Sequence, residues 1–166
     1  DDLNESSCSN GQWFWFSHFK TGCWFITSVN VETEVIVASA HRTPGKVRGL
    51  VSSAEERGVG AFISAAGAAA HLGGVIASYT TLPVIGVPIN ATPLNGMDAL
   101  LSTVQMPSGI PVATMAINGA KNAAIFAIEI FAVSDMNLRK QLKEYREKMV
   151  EEVEAKAAKV AQQLQA

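Results

Sequence analysis

Between Val59 and Ser134 only three side chains carry a charge: Asp98, Lys121 and Glu129. A stretch that poor in charge cannot be laid out as solvated surface, so most of it must be buried. Its apolar runs are short, as at Ala61 to Ser64, Val84 to Val87 and Val112 to Ile117. Each is followed by a segment with helical spacing. Short apolar strands alternating with helices predict a parallel sheet covered on both faces. Burial within one subunit accounts for part of the missing charge, and extensive subunit contact accounts for the rest. The chain is therefore expected to form an obligate oligomer.

The same alternation begins before this stretch. Glu34 to Ala38 predicts a buried strand. Pro44 suits the first turn of a helix, and Val47, Leu50, Val51 and Ala54 then recur at i, i+3, i+4 and i+7. Arg48, Glu55, Glu56 and Arg57 fall on the water side, with Gly58 as the stop. Further helices are expected over Ala69 to Tyr79, Met97 to Val104 and Ala120 to Val133, the last apolar on nearly every side and so buried. Asp135 then caps a long charged helix to about Leu164. Its narrow apolar stripe comprises Leu138, Leu142, Tyr145, Met149, Val153, Val160 and Leu164, and would lie on a neighbouring subunit or on its own domain. No repeat or linker divides the 166 residues, so one domain is expected.

Charge and composition exclude several function classes. A net charge of −2 and a pI near 5.9 leave no basic footprint for nucleic acid. No apolar run approaches the ~20 residues of a membrane-spanning helix. The two cysteines, Cys8 and Cys23, can form at most one disulfide and no zinc cluster, and the three histidines lack metal-ligand spacing. The opening has neither the basic nor the clean apolar part of a signal peptide, which makes a cytoplasmic location the default.

Two segments carry chemistry. Ser39-Ala40-His41-Arg42-Thr43-Pro44 directly follows the first regular strand, and ligands of open α/β sheets bind outside the carboxyl ends of the strands. Arg42 and Ser39 suit a phosphate; His41 can both take and give a proton near neutral pH. The plain alternative is a turn before a helix with an incidental histidine. In the second segment, Ala65-Ala66-Gly67-Ala68-Ala69-Ala70-His71-Leu72, small residues let a ligand approach the backbone, and a helix N-terminus would follow for an anion. Tight helix–sheet packing gives the same pattern, and His71 alone reads as a structural histidine.

The order of the motifs goes further. Ser39 to Pro44, Ala66-Gly67 to Ala70-His71-Leu72, Leu82-Pro83-Val84-Ile85-Gly86-Val87-Pro88, Leu94-Asn95-Gly96-Met97-Asp98, Val104-Gln105-Met106-Pro107, Gly109 to Thr114 and Ala116-Ile117-Asn118 occur in sequence. Together they closely resemble the 5-(carboxyamino)imidazole ribonucleotide mutase family of purine biosynthesis over residues 31 to 160. The resemblance implies a flavodoxin-like three-layer α/β/α subunit with a central parallel sheet, assembled as a homo-octamer. It implies an aminoimidazole ribonucleotide substrate whose carboxylate moves from the exocyclic nitrogen to a ring carbon, without metal, nucleotide cofactor or biotin. By the same resemblance His41 is the general acid and base. Ser39, Ala40 and Arg42 hold the substrate with Ala66, Gly67, Ala70, His71 and Leu72, His71 as a wall or structural residue first. The Ala-Ala-His-Leu string is similar to the mutase class rather than to direct carboxylases. An inactive or ligand-binding relative and a direct aminoimidazole ribonucleotide carboxylase are the alternatives.

Residues 1 to 30 depart from that family. A Gly-Ser-x-Ser-Asp turn after a first strand, which binds phosphate and ribose in the family, is not legible. The nearest string, Ser6-Ser7-Cys8-Ser9-Asn10, offers Ser7, Ser9 and Asn10 as candidates but follows no apolar strand. Instead Trp13, Phe14, Trp15, Phe16, Phe19, Trp24 and Phe25 crowd together and fit neither the helical nor the strand period. A compensated shift of reading frame explains this and predicts a strand, a tight turn and a helix there. A divergent element and an inactive paralogue are the competing explanations. Ala65 and Ala68 stand where the family favours Gly, and Gly73 where it favours Pro.

Overall fold

The computed structural model describes residues 13–16 and 29–164. Five parallel strands form one sheet: β1 (Trp13–Phe16), β2 (Glu32–Val35), β3 (Val59–Gly67), β4 (Val84–Ile89) and β5 (Ala113–Thr114), in the order β2-β1-β3-β4-β5. The helices are α1 (Pro44–Ser52), α2 (Leu72–Ala77), α3 (Met97–Val104), α4 (Ala120–Ala132) and α5 (Met136–Leu164). This is the doubly wound order whose direction reverses between β1 and β3. The steps β2 to β3, β3 to β4 and β4 to β5 all run one way across the sheet. Right-handed crossovers therefore place α1, α2 and α3 on the same face.

The aromatic run Trp13–Phe16 is a central strand, paired with β2 on one side and β3 on the other. Strands of parallel sheets generally read as continuous apolar runs rather than as alternations, and an unbroken run matches no amphipathic period. Of the strand, turn and helix expected in the first thirty residues, this strand is the described part. Cys8 and Cys23 lie outside the described residues.

Several boundaries differ from the sequence expectation for reasons of pairing. β2 is Glu32–Val35 rather than Glu34 to Ala38, because its one neighbour ends at Phe16, opposite Val35. Beyond Val35 the chain has no ladder to follow, and Lys46 Nζ donates to the Val37 carbonyl instead, at 2.9 Å. β3 is longer than Ala61 to Ser64, because β4 accompanies it as far as Gly67 opposite Ile89. Helix α1 stops at Ser52, and turns carry the chain on to Gly58 at φ 77°. There Arg57 does not simply face water: its guanidinium pairs with Glu34 of β2 and donates to the Leu50 carbonyl at 3.1 Å. Helix α2 starts at Leu72, not Ala69, and β5 is two residues long.

Core packing follows the apolar spacing. Val47, Val51 and Ala54 from α1 and the turn after it meet Phe62 of β3, Leu72 and Ile76 of α2, and Val84 of β4. Phe62 and Ile76 are no more than 1% exposed, and each such side chain contributes about 1.5–3 kcal/mol by leaving water. Gly86 of β4 is a close approach: an added Cβ would lie 2.4 Å from Thr103 Cγ2 of α3.

The chain forms two compact units, divided at Ile128 within α4. In the second, Asp135 Oδ1 accepts from the amides of Asn137 (2.8 Å) and Leu138 (3.1 Å), the expected N-cap of α5. Arg139 donates back to the carbonyls of Ala132 and Val133. Of the expected stripe, Leu138 and Leu142 are buried; Met149, Val153, Val160 and Leu164 are exposed. No described helix is long and apolar enough to cross a membrane.

Candidate active site

Phe16 of β1 pairs with Val35 of β2 and with Ile63 of β3. β3 thus continues four residues past the end of β1, from Ser64 to Gly67, before it turns. This overshoot carries the small-residue turn forward at the carboxyl edge of the sheet, beside the point where strand order reverses. The other candidate loop, Ser39 to Thr43, leaves β2 across the same edge, three residues after the expected strand tip has given way to irregular chain.

The Ser39 loop is closed on itself. Thr43 Oγ1 accepts from the Ser39 amide at 2.8 Å and donates to the Ser39 carbonyl at 3.1 Å. The Thr43 amide donates to the same carbonyl at 3.0 Å, and Ser39 Oγ accepts from the Arg42 amide at 3.2 Å. Thr43, at the start of α1, makes no side-chain cap bond to that helix; its hydroxyl is committed to the loop. Ala40, His41 and Arg42 are the three residues this bracket encloses, and it uses none of their side chains. His41 and Arg42 are exposed. The Arg42 guanidinium makes no ion pair among the described residues and is open to an anion.

The two sequence motifs meet. His41 Nε2 lies 2.8 Å from His71 Nδ1, and the rings stand edge to face at 82° with centroids 4.9 Å apart. A nitrogen–nitrogen line of that length holds one proton, so one ring donates along it and the other accepts. His71 is the residue preceding α2, with no side-chain cap bond to it; its imidazole serves His41 instead. Thirty residues separate the two in sequence, and spacing alone gives no hint of the contact.

The second motif divides between site and scaffold. Ala66 and Gly67 end β3, and an added Cβ on Gly67 would meet Ala91 Cβ at 2.7 Å, so this position is closed to any side chain. Ala68 takes φ 53° and is exposed, as is Ala69. Leu72 belongs to the core cluster with Val47 and Ile76. Ala70 is 2% exposed and its amide is held by Ser102 Oγ at 2.9 Å. The left-handed Ala68 breaks the helical path, and α2 begins at Leu72. At six residues, α2 is too short to act as the anion-binding helix N-terminus that the sequence suggested.

Ser7, Ser9 and Asn10 lie outside the described residues. Sequence reading missed Thr43 as the loop's fastener and Ser102 as the partner of the second turn. The available signal for Ser102 was a polar side chain three residues after Ala99, on the buried side of α3. It also missed Asn118, whose Oδ1 accepts from the Asn90 amide at 3.1 Å while its own amide bonds the Pro88 carbonyl at 2.8 Å, tying off the end of β4.

Comparison with known proteins gives a consistent picture. Residues 16–152 match the family model described as AIR carboxylase. The chain is 46% identical over 143 residues to the N5-carboxyaminoimidazole ribonucleotide mutase of Thermotoga maritima, covering 86% of this chain and 84% of that one. It is 57% identical over 130 residues to the enzyme of that name from Methanocaldococcus jannaschii, covering 78% and 80%. Among solved structures, PurE of Treponema denticola superimposes with a TM-score of 0.76 at 24% identity, over 89% of this chain and 97% of that one, a likeness of fold.

Proposed function

This chain belongs to the AIR carboxylase family, and from that membership we infer the reaction its site performs. It is a mutase of purine biosynthesis. It moves a carboxylate from the exocyclic nitrogen of N5-carboxyaminoimidazole ribonucleotide to the ring carbon, giving the 4-carboxy-5-amino isomer. The observation that carries the reading is the His41–His71 contact at the carboxyl edge of the sheet.

The chemistry follows from one group able to act as acid and then base. As the bond between the exocyclic nitrogen and the carboxyl carbon breaks, its electron pair returns to nitrogen and carbon dioxide is released. His41 delivers a proton to that nitrogen. The electron-rich ring carbon then attacks carbon dioxide, and His41, now neutral, removes the proton that the ring carbon bore. Protons, electrons and the carboxyl group balance within one turnover, so no co-reactant is consumed. His71 supports this cycle by holding Nε2 of His41 in one orientation. Keeping carbon dioxide beside the aminoimidazole makes its recapture effectively intramolecular, worth orders of magnitude over capture from solution.

Arg42 and the Ser39 hydroxyl suit the ribose phosphate, Arg42 because its guanidinium is exposed and unpaired among the described residues. The turn Ala66 to Ala69 suits the migrating carboxyl group, with methyl groups and backbone as its only surface. A metal-independent reaction is part of the proposal: exhaustive dialysis against a chelator is expected to leave turnover unchanged.

The working form is proposed to be a homo-octamer in the cytoplasm. Support comes from apolar side chains exposed on one chain: Leu94 just before α3, Met97, Leu101 and Val104 along α3, and Met149, Val153 and Val160 along α5. Light scattering should give eight times the 17.6 kDa of one chain. The decisive experiment for the reaction is His41→Asn, assayed with the carboxyamino substrate. Turnover is expected to vanish while the assembly persists; retained turnover would sink His41 as the proton carrier. Binding without isomerisation by the wild type would select the ligand-binding alternative instead.

A further inference from the structure

We propose that Ser102 is a positioning residue for the turn 68–70, holding the wall against which carbon dioxide is kept between bond breaking and bond making. The role rests on the mutase reading above and assigns a task to a residue on α3, outside both sequence motifs.

Three observations converge on this side chain. Ser102 Oγ accepts from the Ala70 amide at 2.9 Å and lies 3.3 Å from the Ala68 carbonyl. It is the only described side chain hydrogen-bonded to residues 68–70. Its single proton is best placed for the Asp98 carbonyl at 2.9 Å, four residues back on α3, with the Ala99 carbonyl at 3.2 Å also in reach, so the hydroxyl ties the Ala70 amide to the helix backbone. Two residues before the bonded Ala70 amide sits the left-handed Ala68 at φ 53°. An L-residue other than Gly, Asn or Asp rarely adopts that conformation, because its Cβ crowds the following carbonyl. The turn is therefore held against its own preference, and one hydroxyl supplies the side-chain restraint. The residue that follows is His71, whose ring is on His41. The same restraint thus sets both the carboxyl-facing wall and the second histidine.

The consequence is specific to a reaction with a detached intermediate. While carbon dioxide is bonded to neither nitrogen nor carbon, only the walls decide between recapture and escape. Loosening the turn should raise escape, leaving free aminoimidazole ribonucleotide in place of the carboxylated product. A residue that merely stabilises the fold would lower activity without altering this division.

The test compares wild type, Ser102→Ala, Ser102→Thr and the double variant Ala68→Gly/Ser102→Ala. Each is supplied with the carboxyamino substrate, with enzyme-free decay subtracted. Product, free aminoimidazole ribonucleotide and incorporation of labelled carbon dioxide from solution are measured. Ser102→Ala should lower kcat about tenfold and raise the escaped fraction severalfold, with amide exchange at Ala70 faster by about tenfold, as expected when a buried N–H loses its acceptor. Ser102→Thr, which keeps the hydroxyl, should restore all three. Ala68→Gly should restore turnover and partition in the Ser102→Ala background, because Gly takes φ 53° without strain. The proposal is overturned if Ser102→Ala divides product from escape as the wild type does. It is equally overturned if Ala68→Gly rescues neither quantity. A wild-type chain that does not isomerise the substrate refutes the mutase reading itself, and this role with it.

Discussion

Gly86→Ala tests how tightly the site's supporting layer is built. An ideal Cβ at Gly86 would lie 2.4 Å from Thr103 Cγ2 and 2.9 Å from Val112 Cγ1. Carbon–carbon contacts are comfortable only at about 3.5–4.0 Å, so Thr103 must retreat by more than an ångström. It cannot simply rotate away: it is 4% exposed, and its Oγ1 donates to the Ala99 carbonyl at 2.7 Å. Overpacking of this kind costs about 1–3 kcal/mol, and losing the hydroxyl bond about 1 kcal/mol more. The expected loss is therefore about 2–4 kcal/mol, read as a fall in Tm of roughly 5–15 °C for a chain of this size. Thermal unfolding followed by circular dichroism measures it, at one fixed protein concentration because assembly also stabilises the fold. Thr103→Ser removes Cγ2 and keeps the hydroxyl, so Gly86→Ala/Thr103→Ser should recover about 1–2 kcal/mol as a coupling between touching residues. An unchanged Tm in the single variant, or additive losses in the double, would refute the packing argument.

Other outcomes follow from the same geometry. Gly49→Ala, on an open face of α1 where an added Cβ meets nothing within 4 Å, should stabilise by up to about 1 kcal/mol in chemical denaturation, because Gly is a poor helix residue. Asp135→Ala removes both cap bonds of α5 and should destabilise by about 0.5–2 kcal/mol, seen as faster amide exchange at Asn137 and Leu138. His71→Leu deletes the described partner of the His41 ring and should lower kcat about tenfold or more with little change in KM; an unaffected kcat would make the contact incidental.

The layered α/β fold and most of its elements were legible because their apolar spacing is local. Val47 and Val51 lie on one helix face whatever the rest of the chain does, and Asp135 caps the residues directly after it. Strand ends were less legible because a neighbour sets them: β2 stops at Val35 only because β1 stops at Phe16. The aromatic strand itself was hidden because an unbroken apolar run carries no period. In the candidate site, the motif order singled out His41, Arg42 and His71, but not that two of them touch. Nor could it reveal that the methyl of Ala68 sits on a left-handed residue, or that Ser102 reaches across from another element. Those facts depend on three-dimensional closure rather than on any pattern along the chain.

The long helix α5 has one more consequence. Its 29 residues make a rod about 44 Å long at 1.5 Å per residue, and on one chain every residue from Glu147 to Leu164 is exposed. A helix without a packed face is marginal in water, so protease sensitivity becomes a gauge of association. In dilute solution trypsin should cut after Lys148, Lys156 and Lys159 and shorten the chain from its end. At concentrations where copies assemble, the same bonds should survive. The fragment pattern against concentration would then report the strength of assembly without any measurement of mass.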